Sequence, residues 1–454
     1  MAVDPDHRHA GVALRIVEAA DPRYTSTAKS LECSAPRVWL TARVSNRGVL
    51  AYPAFVRLWL AGTVSWLGTF SFGLALQLLL IETLSADQAA IGFVRSAQWV
   101  PALAIGLLAG VLTDRVRRRP VLIAADTVTA LATGGIGALA LTGLLTVPVL
   151  AALVALVGAA SMFYHAAHQS YLPRLVPMEQ LPVANARIEQ TMTAAEAVGP
   201  LVAGALVRFL SAPVAILLNA VSKAASALLL ASIRVEEPAP QRQPNRHLWR
   251  ELKEGGSWVY RHRTLASYAV SLHLWFLFNS AIMTVFVFHV TEVLGLDALT
   301  VGLVLSCAGV SGVIGAGLAP QAAKRFGLGP VCVAADWLHP LAFLFLLLAS
   351  PGPTGAALLV VGQLVYGLGA GLKGPLELSY RNAVTPDRLR ARMNGTIRSL
   401  NWGSIAVAAP LAGLAATVYG NRPVIAVGIV GLVAAALILT LSPFRSAAMP
   451  AAYA

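Results

Sequence analysis

The chain has 454 residues, 57% of them apolar and 12% charged, with a net charge of +13. Soluble domains run at roughly 45–50% apolar and about 25% charged, so this composition excludes an ordinary water-soluble domain and directs most of the surface to lipid. The positive charge gathers in short loops, which reads as membrane topology and not as a nucleic-acid surface, and Cys33, Cys307 and Cys332 are too scattered for a disulfide framework or a metal site.

Residues 1–52 are polar, with no sustained apolar run and no signal-peptide core, and are expected to form a disordered cytoplasmic tail. Beyond them, twelve apolar stretches are long enough to cross a bilayer as helices, which takes about 20 residues. Their expected limits are 54–82, 89–113, 120–143, 148–171, 183–208, 213–233, 265–293, 298–322, 330–350, 354–380, 391–418 and 423–442. They divide into an N-terminal six-helix half (53–233) and a C-terminal six-helix half (265–443). A polar connector (234–264) lies between, and its ELKEGGSWVYRHRT run suits an amphipathic helix on the membrane surface; residues 444–454 complete the chain as a short cytoplasmic tail.

The two halves are related. PVLIAAD at 120–126 returns as PVCVAAD at 330–336, and Tyr171, Pro177 and Asn185 return as Tyr380, Pro386 and Asn394. GPLVAG around Pro200 is answered by APLAG around Pro410, again at an offset of 209 to 210 residues. Such duplication in a membrane chain predicts an all-α protein of twelve transmembrane helices in two pseudo-symmetric halves facing each other across a substrate path. The loops after spans two, eight and ten carry Arg115, Arg117, Arg118 and Arg119, then Lys324 and Arg325, then Arg381, Arg388, Arg390 and Arg392. Those after spans one, three, seven and nine carry no Lys or Arg, so both termini are expected in the cytoplasm, the chain being a multi-pass protein of the inner or plasma membrane.

The loop after span two reads GVLTDRVRRRPVL from Gly110. Gly106 and Gly110, four apart, let a neighbouring helix approach closely, and Asp114 at the membrane edge among arginines has the chemistry of a gate latch. This run resembles the signature of the major facilitator superfamily: Gly110, Leu112, Asp114, Arg115, Arg118, Arg119 and Leu122 match, while Arg117 replaces an inner Gly. The resemblance implies that Asp114 stabilises an outward-facing state through the start of helix eleven. A narrower resemblance, to the branch with the enterobactin exporter and the macrolide efflux proteins, rests on FVRLWLAGTVSWLG in span one, the DRVRRRPVLIAAD run, YLPRLVPMEQLPVANA, ELKEGGSWVYRHRTL and VTPDRLRARMNG. Thr69 departs from it, standing where many relatives carry an acid, and His165, Glu196 and Lys223 are unusual at their positions. Gly199-Pro200 with Ala203-Gly204 in span five is close to a pattern that the superfamily associates with antiport.

Ionisable residues within spans are costly and therefore candidates for function. Glu196, one turn before the Gly-Pro kink, is the leading proton-coupling candidate, with Glu189 on the same face; a salt bridge from Glu196 to Lys223 is the competing reading. Lys373 and Glu377 are four apart and expected to pair, His165 and His168 are expected as a cavity-facing polar pair, and Arg398 is a further cavity candidate. Asp126 and Asp336, duplicated in register near one membrane edge, are assigned a structural role at the inner gate. The expectation is a secondary transporter and not an enzyme: a proton-coupled, monomeric exporter of a small amphipathic molecule such as an antibiotic, siderophore or other secondary metabolite. Its partners would be substrate, protons and membrane lipid, with no nucleic acid; no P-loop is present to supply ATP drive, and no cofactor or metal is called for. The alternatives are uptake or lysophospholipid flipping by the same fold, or a membrane-embedded sensor or enzyme, for which no catalytic constellation is visible.

Overall fold

Helices dominate because long apolar runs must satisfy their own backbone groups in lipid. The computed structural model describes residues 48–114, 116–235, 237 and 248–450, so the expected tail lies outside the described residues as far as residue 47. The first half comprises α1 (Pro53–Leu78), α2 (Gln88–Asp114), α3 (Arg118–Leu141), α4 (Val147–Tyr171), α5 (Leu181–Phe209) and α6 (Ala212–Ala231). A connector helix, α7 (Leu248–Arg261), precedes α8 (Leu265–Phe288), α9 (Ala298–Phe326), α10 (Leu328–Leu348), α11 (Pro353–Ala383), α12 (Asp387–Tyr419) and α13 (Asn421–Leu441). Eleven of these are long and apolar enough to cross a membrane, and α2, 27 residues long, occupies the place of the expected second span.

Local chemistry sets the ends. Proline stands in the first turn of α1, α4, α5, α6 and α11, where its missing N–H costs nothing. Gly327 and Gly420, at φ of 89° and 82°, turn the chain between α9 and α10 and between α12 and α13. Asp297 caps α9 by accepting from the Thr300 N–H at 2.8 Å. That bond, aided by Arg208, holds its carboxyl below the usual carboxylate range.

The internal repeat extends beyond the sequence matches. Both first helices end in a five-residue π-helical turn, Leu79–Thr83 and His289–Val293, with Glu82 and Glu292 in corresponding places. The next residues with positive φ correspond too, Ser85 at 45° and Gly295 at 70°. Within each half, α3 packs on α4 and α6, and α10 on α11 and α13. Large apolar side chains such as Leu131, Leu228 and Val430 stay exposed on the outside of the bundle, as a lipid-facing surface requires.

Between the halves, α2 crosses α12 and α5 crosses α9. A methyl group on Gly92 or Gly413 would strike the Ala409 or Gln88 carbonyl, and one on Gly204 or Gly302 would strike the Ala298 or Pro200 carbonyl. Gly92 corresponds to Gly302 and Gly204 to Gly413, so the same small-residue contact is made twice about the pseudo-twofold axis. Both crossings lie near the end of the molecule that carries the loops at 84–87 and 294–297.

The connector helix lies against α12. Gly255 packs on the Arg392 carbonyl, Glu254 pairs with Arg392, and the Trp258 indole N–H donates to Thr385 Oγ1 at 3.2 Å. Residues just past α13 are packed as well: Phe444 is fully buried between Tyr268 and Tyr380, with ring centroids 5.5 and 5.4 Å away.

Candidate transport site

Each half buries one copy of the repeated aspartate, and each copy holds an intramembrane lysine. In the first half, the Lys223 ammonium on α6 lies 3.9 Å from Asp126 Oδ1 on α3. It also donates to Ser65 Oγ and Thr69 Oγ1 on α1, at 2.7 Å each, and sits 5.9 Å from the centre of the Tyr164 ring. In the second half, Lys373 on α11 pairs with Asp336 on α10 and lies 3.5 Å from Glu377 Oε1. Here Ser271 donates to Asp336 at 3.4 Å and Trp275 supplies the ring, 5.9 Å from the ammonium. At the offset of 209, Tyr164 is the counterpart of Lys373 and His168 that of Glu377. The fold therefore supplies a cation to the same aspartate from two different helices.

Lys223 is thus committed to Asp126 and not to Glu196, which corrects the salt bridge weighed for Glu196. The reason is register: Lys223 is buried facing α1 and α3, whereas Glu196 is accessible on α5. Glu196 stands within Coulombic range of Glu189 and of Tyr366 on α11, toward the space between the halves. Asp126 and Asp336, assigned to the inner gate, are the anions of the two buried ion pairs. The expected pairing of Lys373 with Glu377 is present, with Asp336 added to it.

A cavity of about 390 Å³ opens beside the first pair, within the size range of small-molecule sites. Asp126, Lys223 and Thr69 are among its polar lining, and Trp66, Phe70, Trp99, Met162 and Trp402 among its apolar and aromatic lining. Trp402 comes from α12 and lies 5.8 Å from Trp99, so both halves contribute. The two candidate histidines separate: His165 lines the cavity, whereas His168 is buried, stacked on Tyr164 and edge-on to Trp66. Arg398, accessible on α12, stacks over Trp402 at 5.7 Å. In α5, Gly199 packs on Phe70 and its carbonyl accepts from Ser71 at 3.1 Å, while the Leu201 N–H beyond Pro200 donates to Ser306 of the other half at 3.0 Å.

At the gate motif, Gly106, Gly110 and Asp114 lie in α2, but the surroundings of all three, and Arg115 altogether, lie outside the described residues. Arg118 and Arg119 open α3, their backbone N–H groups donating to the Glu237 carboxylate at 2.6 and 3.0 Å. The Arg119 side chain donates to the Leu230 and Ala231 carbonyls at the end of α6. Sequence reasoning passed over Glu237, whose role as an anion on a helix N-terminus depends on a chain return that spacing does not reveal. It also passed over Arg95, which lines the cavity. The signal there was plain: an arginine inside the apolar run GFVRSAQWVP.

The family description "Major Facilitator Superfamily" matches residues 58–408. This chain belongs to the major facilitator superfamily. It is therefore a multi-pass membrane transporter of small molecules and not an enzyme. An uncharacterised MFS-type transporter of Sinorhizobium fredii is 29% identical over 415 residues, 88% of this chain and 98% of that one. Among solved structures, the nucleoside transporter NupG superposes with a TM-score of 0.72 at 16% identity, covering 85% of this chain and 98% of its own. A bacterial homologue of the iron transporter ferroportin, in an inward-facing state, superposes with a TM-score of 0.69 at 16% identity, covering 88% and 100%. At such identities the likeness concerns the major facilitator fold and leaves the cargo open.

Proposed function

We propose that this transporter is a proton-coupled exporter of small amphipathic molecules, with the substrate in the first-half cavity and the proton on the second-half acid cluster. The observation that carries the coupling is a charge count. Asp336 and Glu377 share the ammonium of Lys373, and all three are buried; the Arg381 guanidinium, one turn past Glu377, acts on it at Coulombic range and donates to the Tyr268 hydroxyl at 3.4 Å. At ion-pair distance one cation faces two carboxylates, so the surplus carboxyl is the natural place for a proton that is taken up in one state and released in another. Glu377, whose Oε1 has no hydrogen-bond partner, is that group. Glu196, accessible and facing the other half, is the secondary carrier.

The cavity supports the substrate class, because aromatic side chains and a charged, hydroxyl-bearing cluster line it together. Export is supported by the Gly-Pro hinge in α5 and by the marks of the exporter branch spread from span one to the loop after span ten. With the arginine-rich loops placed in the cytoplasm of a cell membrane, the glycine crossings become the outer seal and the structure corresponds to a state closed to the outside. Asp114 then serves the opposite state as its latch.

The test uses everted membrane vesicles and a panel of labelled amphipathic antibiotics. Wild-type vesicles should accumulate at least one of them in a protonophore-sensitive manner. Glu377→Gln should abolish that accumulation while leaving gradient-free exchange of the same compound in place. Accumulation that ignores the protonophore, or full gradient-driven transport by Glu377→Gln, would refute the coupling assignment, and net movement in the opposite direction would refute export.

A further inference from the structure

An arginine inside a membrane helix needs a partner, because an uncompensated guanidinium in lipid is costly. Arg95 on α2 lacks one of the usual kind. Its Nη1 donates to the Met283 carbonyl of the other half at 3.4 Å, its Nε has no hydrogen-bond partner, and among the described residues no carboxylate pairs with it. The acid that lines the same cavity, Asp126, is already held by Lys223. The cavity wall thus carries two cations, Arg95 and Lys223, against one anion.

The surroundings say what a missing anion would be attached to. Trp99 stands one turn along the same helix, and Trp402 closes on it from α12. Gln98, Gln77, Ser161 and His165 add neutral polar groups, and Phe70, Leu76, Leu80, Ile91, Val94 and Met162 give the wall its apolar part. A guanidinium presents a planar fork of donors that matches a carboxylate, sulfonate or phosphate, which an ammonium does not.

We infer that Arg95 is the specificity residue for the anionic group of an aromatic amphipathic substrate, whose ring packs against the Trp99 and Trp402 pair. This rests on placing the substrate in the first-half cavity, but it does not depend on how transport is driven. Binding then supplies the charge that Arg95 lacks, and the contact spans both halves, since Arg95 also reaches Met283. Neutral analogues of the same skeleton fit the walls but leave the guanidinium unpaired, and so bind more weakly.

The experiment measures binding to purified protein in lipid nanodiscs, without any gradient, by energy transfer from tryptophan to two probes. Anilinonaphthalene sulfonate carries the anion; phenylnaphthylamine has the same rings and no charge. Signal from empty nanodiscs is subtracted, and Trp402→Phe confirms the location by lowering the transfer. Wild type should prefer the sulfonate. Arg95→Gln should bind the sulfonate roughly 10- to 100-fold more weakly, as loss of a charge-assisted hydrogen bond implies, with the neutral probe unchanged. Arg95→Lys should fall between, keeping the charge but not the fork. If Arg95→Gln does not fold, Arg95→Lys decides the matter: weaker sulfonate binding alone supports the inference, and unchanged binding overturns it. The inference is equally overturned by a wild type without anion preference, or by an Arg95→Gln variant that loses neither probe or both alike. Failure of proton coupling would leave all these readings intact, so the two proposals fail separately.

Discussion

Removing one member of the first-half ion pair should expose its partner's isolation. Lys223 and Asp126 are 8% and 2% exposed, and at their 3.9 Å separation two unit charges interact by about 4 kcal/mol for an effective dielectric near 20. Lys223→Met leaves the Asp126 carboxylate without its cation, with the neutral hydroxyls of Ser65, at 3.4 Å, and Ser226 beside it. Breaking a buried pair in this way costs about 3–5 kcal/mol, which is two decades or more in the ratio of folded to unfolded protein. Asp126→Asn should cost less, because the ammonium keeps two hydroxyl acceptors at 2.7 Å. The double variant Asp126→Asn with Lys223→Met removes both charges and should recover all but about 1–2 kcal/mol, giving a coupling energy that identifies the pair. Equilibrium unfolding in mixed detergent micelles reads all three. The reasoning is refuted if Lys223→Met unfolds like wild type, or if Glu196→Gln rescues Lys223→Met where Asp126→Asn does not.

Two further outcomes follow from other parts of the molecule. Gly204→Val places its branched side chain against the Ala298 carbonyl at the crossing of α5 and α9, so it should open that end; in a variant lacking Cys33, Cys307 and Cys332, a cysteine at Thr69 should then react several-fold faster with an impermeant thiol reagent added outside, and an unchanged rate would contradict the seal. The neutral His262 ring, through Nδ1, accepts the Thr264 and Leu265 N–H groups at 3.4 and 3.3 Å, and burial pushes its pKa below the ordinary 6.5. A depressed folded value means that its contribution is complete above the unfolded pKa and is lost as pH falls through the folded one, so thermal stability should drop between neutral and mildly acidic pH by more in wild type than in His262→Asn; equal slopes would remove this residue from the pH response.

The sequence by itself determined the solvent, the fold and the symmetry. Twenty-residue apolar runs have no other way to satisfy their backbone in lipid, so the helices lie within a few residues of where hydropathy and punctuation place them. Matches such as Pro120 with Pro330 announce two halves because covalent spacing survives duplication, and Lys373 with Glu377 could be paired because four residues make one helical turn. The partners of Lys223 were not legible in the same way. Its distance along the chain to Asp126 and to Glu196 says nothing about which helix turns toward which, and that depends on how α6 packs against α1 and α3. Arg95 was visible as a charge in an apolar run, yet its lack of a carboxylate partner and its place beside Trp402 of the opposite half emerge once the two halves are brought together. Glu237 on the start of α3 is of the same kind. Local periodicity fixes what a segment is; tertiary packing decides which buried charges meet, because that meeting is set by helix rotation and crossing, to which one-dimensional spacing is blind.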